Sequence, residues 1–537
     1  RDRSDPARPR AGGHRRGRGR AAGAARCRRR GQATQGDAVG AYPTGKPRAM
    51  ELFSYRRGVD RGRRFGSPGE DVLERGKPFA RCGDHLRRVV QLLREVAQRV
   101  VELRVGHLEQ LDVDTLTAVV TAMTIVPNIN MDVDSMYRGR DDMLHKAKDF
   151  TNYSVFSLWD TYRAAHPLYT IIDRKRSLDY IKTFLAQYQQ GGRLPVWELA
   201  GNETDCMIGY HSIPVIVDAY MKGIRGFDTD LALRAMKTSA EWDQLGLPAY
   251  RAHGVIEAGD ESESVSKTLE YAYDDWCIAQ LAKKLNRGDI YTEFIKRSEN
   301  WKNVYDPSIG YMRPKLSDGK FRGNFDVLKT DNEGFIEGNA WNYSLYVPHD
   351  PEKLVLMMGG NDRFNKHLDS LFTMQLPDEF FAETEDITKE GIIGNYVHGN
   401  EPAHHAAYLY NYSGKPWKTQ ERVRMILKKM YHPSPDGLGG NDDCGQMSAW
   451  YVFSYLGFYP VSPGSEDYAI GSPSMNTAVI SLGKGKTFRI EARDQGDKNV
   501  YVKKIELNGK PYVKNFISHT DIMNGGKLVF YMTSKHP

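Results

Sequence analysis

Apolar residues recur at helical spacing from about residue 150 to 460. Ile181, Phe184, Leu185 and Tyr188 form one stripe, closed by Gly191-Gly192. Leu269, Tyr273, Trp276, Cys277 and Leu281 form a second, ending before Gly288. Phe364, Leu368, Leu371 and Phe372 form a third, and Val423, Ile426, Leu427 and Met430 a fourth, ended by Pro433. The run Gln446 to Tyr455 also reads as a helix. Short Gly/Pro/Asn loops between helices imply antiparallel neighbours. No strand–helix alternation is visible, which disfavours a Rossmann fold or a β/α barrel. From about residue 465 the period shortens to two. Thr487–Glu491 and Tyr501–Leu507 alternate, Asn508-Gly509 is a hairpin turn signal, and Gly525-Gly526 precedes the strand-like Leu528–Tyr531. The chain therefore reads as mainly α, followed by a small β unit.

The opening differs. Residues 1–30 carry twelve Arg and two Asp, a net +10, and are Gly- and Ala-rich; such a segment is expected to be disordered. It has no apolar core of a secretory signal. Val89, Leu92, Leu93, Val96 and Val100 make residues 86–122 amphipathic. The whole chain has a formal charge of +7, so everything after residue 30 sums to −3 and gives no reason to expect nucleic acid as a partner. A length of 537 residues allows two or three domains, and no apolar run of 18 residues suggests a membrane span. The five cysteines form no C-x-x-C pair, which disfavours zinc and thioredoxin-like chemistry. Cys444 reads as a packing residue. Thirty Tyr and eight Trp suit a sugar-binding protein, though a large helical core uses the same residues.

Candidate chemistry lies in two acid turns. Gly439-Gly440-Asn441-Asp442-Asp443-Cys444-Gly445 leads into the Gln446 helix. Ile336-Glu337-Gly338-Asn339-Ala340-Trp341 has the same plan of acid, Gly or Asn, then aromatic-rich helix. A helix cap with a first-turn acid would look alike. Between the turns, His398-Gly399-Asn400-Glu401-Pro402 offers several oxygen donors, without the loop of an EF-hand. His404-His405 reads as a helix face, since adjacent histidines do not easily reach one zinc. Asp160 and Arg163 stand three apart and can simply pair. Glu261 and Glu263 read as caps, and His211 as a buried histidine.

These stretches, with Phe156-Ser157-Leu158-Trp159-Asp160-Thr161-Tyr162-Arg163 and Glu203-Thr204-Asp205-Cys206-Met207-Ile208-Gly209-Tyr210-His211-Ser212, resemble glycoside hydrolase family 92. The likeness runs from about residue 125 to the C-terminus. It implies a calcium-dependent, inverting exo-α-mannosidase that removes terminal mannose, through α-1,2 or related linkages, from mannans or N-glycans. It further implies an (α/α)6 toroid with a C-terminal β-sandwich. We accordingly divide the chain into residues 1–122, unassigned, 123–464, the catalytic toroid, and 465–537, the β-sandwich. The family's N-terminal β-sandwich is not recognisable, so residues 1–122 read as truncated or out of frame.

The resemblance also assigns roles. Glu337 matches the general acid, with Glu333 as rival, and Asp443 the general base. Asp442 or Asn441 would orient the water. Trp159, Asp160, Arg163, Glu203, His211 and Trp341 would bind the sugar, and Asn400 and Glu401 would hold Ca2+. The expected location is periplasmic or extracellular. A second reading is a catalytically impaired glycan-binding toroid.

Overall fold

The Ser264–Lys284 helix is buried on nearly all sides, so its apolar residues need no amphipathic stripe. Its acids Glu270, Asp274 and Asp275 are wholly buried too, and each must therefore find partners inside the protein. The computed structural model describes residues 123, 125–330, 333–376, 391–434 and 437–536, all within one compact unit, Gly76–Pro537. The Arg-rich opening and the amphipathic run 86–122 lie outside the described residues.

Around that helix pack Ser212–Met221, Thr229–Ala240 and Gly288–Arg297. The four sequence stripes fall in helices Arg174–Gly191, Ser264–Lys284, Asn361–Thr373 and Pro416–Met430. Asp173 caps the first by accepting from the Arg176 N–H at 3.0 Å. Gly192 ends it at φ 79°, a conformation that costs glycine little. Between the helices lie short paired strands that the periodicity did not show, including the three-stranded Phe156–Ser157, Trp197–Leu199, Asn202–Glu203 sheet. The helix expected after the Glu337 motif is a single turn, Ala340–Tyr343; Trp159 and Asp160 also sit in a single turn, Leu158–Thr161, ahead of the helix Ala165–Ile172.

The C-terminal strands form a five-stranded sheet in the order Thr477–Ser481, Thr487–Arg493, Gly526–Thr533, Tyr501–Leu507, Lys510–Tyr512. Thr487–Arg493 and Gly526–Thr533 run parallel, with Ile490 opposite Leu528; the other pairs are antiparallel. Phe488, Ile490 and Ala492 turn inward and Thr487, Arg489 and Arg493 outward, as the alternation predicts. The expected Asn508-Gly509 hairpin joins two of these strands, both residues at positive φ. A three-stranded sheet joins Phe458–Tyr459 and Asp467–Ile470, which precede these strands in sequence, to Phe516–Ser518, which lies between Lys510–Tyr512 and Gly526–Thr533. One hydrophobic core runs through helices and sheets, and buried polar ties cross between them. The Asp218 carboxylate holds both the Lys222 ammonium and the Gly464 N–H at 2.8 Å.

Candidate active site

Glycines bring the motifs together. A Cβ on Gly440 would stand 2.4 Å from the Gly399 Cα, and one on Gly399 would stand 2.6 Å from the Gly439 carbonyl oxygen. Only bare backbone permits that approach. It lays Asn400 and Glu401 beside Asp442 and Asp443. Asp160 arrives from the Leu158–Thr161 turn. Carboxylate oxygens of Asp160, Glu401 and Asp443 lie within 4.8 Å of one another. Asp160 and Glu401 are 4% and 2% exposed.

Three clustered carboxyls repel one another. Burial, followed by the charge of Asp443, pushes Asp160 well above the usual carboxylate range, and Glu337 adds to the push. Burial, Asp443 and Asp160 do the same to Glu401, which shares a hydrogen bond with Asp443. A carboxyl–carboxylate hydrogen bond holds a proton that a cation would replace. The Glu401 Oε1 atom is buried without a hydrogen-bond partner. A donor set made of oxygens, with one orphaned and two carboxyls driven toward neutrality, fits a hard cation such as calcium.

Glu337 meets this cluster from the other acid turn. Its Oε2 accepts from Asn400 Nδ2 at 3.0 Å. Both Glu337 and Asp443 are non-glycine residues at positive φ, 48° and 45°, and strained backbone of this kind gathers at functional sites. The rival Glu333 is 6% exposed and tied to the Arg322 guanidinium. Asp442 Oδ1 accepts from the Ser448 N–H at 3.0 Å and the Ser448 hydroxyl at 2.7 Å, which anchors the acid turn to the Gln446–Leu456 helix. Burial pushes the Cys444 thiol up to about 12, so it stays protonated as a packing residue would. Trp341 is half-buried and stacks on His367, ring centres 4.4 Å apart.

Other candidates sit deeper. Trp159 is 2% exposed and donates its indole N–H to Glu270 Oε1 at 3.0 Å. Arg163 lies 3.8 Å from the same oxygen and over the rings of Trp159, Tyr162 and Tyr346. The anticipated Asp160–Arg163 ion pair is not among the described residues' salt bridges; Arg163 turns to Glu270 instead. His211 is fully buried between Asp274 at 2.8 Å and Glu270 at 2.6 Å. Burial opposes its charge, but the two carboxylates prevail and hold its pKa at about 9. Glu203 spends its carboxylate on the backbone N–H groups of Val196, Trp197 and Asp205 and on Arg140. Glu261 and Glu263 both face Lys267, and Glu263 makes no side-chain cap bond. His404 and His405 are buried on the carbonyls of His398 and Leu345.

Sequence inspection missed Glu270 and Asp274. The signal was present: two acids four residues apart interrupt the apolar stripe of Leu269, Tyr273 and Cys277, and charges on such a face need partners.

With this geometry in view, comparison with known proteins is direct. The profile of the glycosyl hydrolase family 92 catalytic domain matches residues 102–534. The chain belongs to this family. The match begins ahead of residue 123. A family GH92 α-mannosidase from Bacteroides thetaiotaomicron superposes with a TM-score of 0.79 at 42% identity, over 84% of this chain and 60% of that one. In its complex with mannoimidazole the score is 0.80 at the same identity and coverage. A family GH92 inverting mannosidase from the same species gives 0.75 at 34% identity, over 82% and 62%. A secreted glycosidase of Arthroderma benhamiae is 28% identical over 409 residues, 68% of this chain and 50% of its own length. The chain thus spans about half to three fifths of the relatives it matches. Among its described residues no helix is long and apolar enough to cross a membrane.

Proposed function

We propose that this chain hydrolyses terminal α-mannosidic linkages with inversion, in mannans or N-glycans outside the cytoplasm, with calcium as its cofactor. The observation that carries the reading is the meeting of Asp160, Glu401 and Asp443 within 4.8 Å, with Glu337 joined to the same group through Asn400. Membership of the family and likeness to an inverting mannosidase support it. So does the secreted glycosidase relative for the location.

Inversion needs an acid on one side of the scissile bond and a base on the other. Glu337 gives its proton to the leaving oxygen. Asn400 holds Glu337 in place by donating to Oε2. Asp443, its carboxylate fixed by the strained turn, takes a proton from the attacking water. The Ser448 bonds to Asp442 keep that turn from relaxing. Glu401 and Asp160, with the side-chain oxygen of Asn400, would hold the cation. Calcium bound there supplies a positive centre for sugar hydroxyls. Trp341 offers the half-buried ring on which an apolar sugar face can rest. The (α/α)6 toroid and C-terminal β-sandwich implied by the resemblance accord with the helical body and the sheets after residue 457.

A mannobiose panel with α-1,2, α-1,3, α-1,4 and α-1,6 linkages tests the reading, with and without chelator. Release of mannose that stops in chelator and returns with calcium is expected, fastest on α-1,2. Magnesium should replace calcium poorly because it demands a tighter octahedral shell. Full turnover in excess chelator removes the metal from the mechanism, and binding without release favours the glycan-binding alternative.

A further inference from the structure

We propose that Gln446 is a positioning residue that ties together the three segments carrying Asp160, Glu401 and Asp443. The inference rests on reading that acid cluster as the reacting site. Gln446 is wholly buried and opens the Gln446–Leu456 helix. Its Oε1 accepts from the backbone N–H groups of Ala164 at 2.9 Å and Ala165 at 3.1 Å. Its Nε2 faces His404 Nδ1 at 3.1 Å. It also hydrogen-bonds the Tyr459 hydroxyl.

The orientation follows from the partners. Backbone amides can only donate, so the amide oxygen must face Ala164 and Ala165. The amide nitrogen then faces His404. His404 Nε2 is 2.9 Å from the His398 carbonyl oxygen and must carry a hydrogen there. That leaves Nδ1 as the acceptor the Gln446 amide requires. Burial holds His404 neutral, its pKa pushed down to about 3. The His404 carbonyl in turn accepts from the Trp450 indole at 2.9 Å, which ties its backbone to the same helix.

Each contact lies about one helical turn from an acid. Ala164 follows Asp160 by four residues, His404 follows Glu401 by three, and Gln446 follows Asp443 by three. One amide thereby sets the spacing of three carboxyls drawn from distant parts of the chain. Burying an amide is costly unless it is bonded, and an apolar side chain here would take away the acceptor of the Ala164 and Ala165 N–H groups. The polar choice is explained by the segments it bonds together. Trp450 also ties this helix to His404, and Glu401 bonds Asp443, but Gln446 is the side chain that reaches both the Ala164 and the His404 segments.

The test uses the full chain and Gln446→Met, which keeps the volume and removes the amide. Calcium affinity is measured by titration calorimetry, kcat and KM on a mannobiose, and stability by a melting curve. Tyr408→Phe is the control. It removes a buried hydroxyl bond to Ser454 on the same helix, away from the acids. Gln446→Met should weaken calcium binding and lower kcat by about 10–100-fold each, the usual effect of freeing a group that orients metal ligands. KM should change little. The control should lose melting temperature while keeping calcium affinity and kcat. A folded Gln446→Met protein with wild-type calcium affinity and kcat overturns the proposal, whatever its melting temperature. If that variant does not fold, His404→Leu removes the same bond from the other side and decides by the same measurements. Wild type that neither binds calcium nor releases mannose would instead defeat the functional reading beneath it.

Discussion

Trp159 and Asp160 are neighbours in sequence, yet they lead into two buried carboxylate clusters that handle charge in opposite ways. Trp159 points to Glu270, which with Asp274 surrounds the His211 imidazolium, while the Arg163 guanidinium lies 3.8 Å away. Two negative groups meet two positive ones. Asp160 joins Glu401 and Asp443, and among the described residues neither Asp160 nor Glu401 makes an ion pair. In the first cluster, burial is offset by internal partners, and the group is a structural brace. In the second, the repulsion is left standing, and two of its members are driven toward the protonated state. A protein gains nothing in stability from such a cluster. Its persistence is explained by a ligand or a reaction that uses the charge.

The sharpest way to break the contrast is to remove one acid whose role is chemical. Asp443→Asn should abolish hydrolysis with the fold intact, because an amide cannot take a proton from water. Circular dichroism beside a mannobiose assay checks this. Near-wild-type turnover would move the base to another carboxylate, Asp442 first, even though Asp442 is committed to Ser448.

Glu337→Gln should lose about 10²–10⁴-fold on a disaccharide, the usual worth of general acid catalysis. A dinitrophenyl mannoside needs little protonation of its leaving group and should suffer far less. The comparison of kcat/KM on both substrates separates acid catalysis from a role in holding the Gly338-Asn339 turn. Equal losses would exclude Glu337 as the acid and pass the role to Glu333, despite its bond to Arg322.

Glu401→Gln tests the uncompensated cluster as a cation site. Calcium affinity should fall by about 10-fold or more, in the range of lost metal-site contacts. The calcium-free protein should melt no lower than wild type, since a buried repulsion has gone. In wild type, calcium at 100 times its Kd should add about 2.7 kcal/mol of stability. Because Asp160 and Glu401 hold protons more tightly than free carboxyls, calcium must displace protons, and its affinity should rise with pH. A pH-independent affinity, or a Glu401→Gln protein with an unchanged calcium-induced melting shift, would take the cation away from this cluster.

These contrasts bear on what a sequence can disclose. The acid turns were legible because glycines bracket them and helices follow, and the structure adds the reason: backbones at Gly399 and Gly440 touch. The long helices were legible because apolar residues recur along each at helical spacing, and the C-terminal strands because their pleat repeats every two residues. Glu270 and Asp274 were not legible as a brace. Their place within the apolar stripe shows that they need partners, but a helix buried nearly all round gives no polar face to show which ones. Glu203 and His211 were read as sugar binders through their motif. The structure shows Glu203 bonded to nearby backbone N–H groups of its own hairpin and His211 to two carboxylates distant in sequence, and the latter partners are set by tertiary folding and invisible to spacing. The placing of Asp160 with Glu401 and Asp443 has the same cause, since some 240 and 280 residues of chain separate them.

The compensated cluster predicts a smaller effect, seen in stability and its dependence on pH. His211 titrates at about 9 in the folded protein, against about 6.5 for a free histidine. Its folded pKa is raised, so the folded state binds more protons than the unfolded one between those values. The stabilisation is complete below about pH 6.5 and is lost as pH rises through 9. At about 1.36 kcal/mol per pH unit the window is worth a few kcal/mol. His211→Gln places a neutral amide between Glu270 and Asp274. It should be less stable than wild type at pH 6, and its stability should change little between pH 6 and 9.5. Denaturant midpoints at these two pH values, taken in saturating calcium so that the acid cluster contributes equally, provide the measurement. The wild type should approach the variant as pH rises. Parallel falls in both proteins would show that His211 does not carry the charge on which the brace depends. The distinction between a compensated and an uncompensated cluster would then fail on the compensated side.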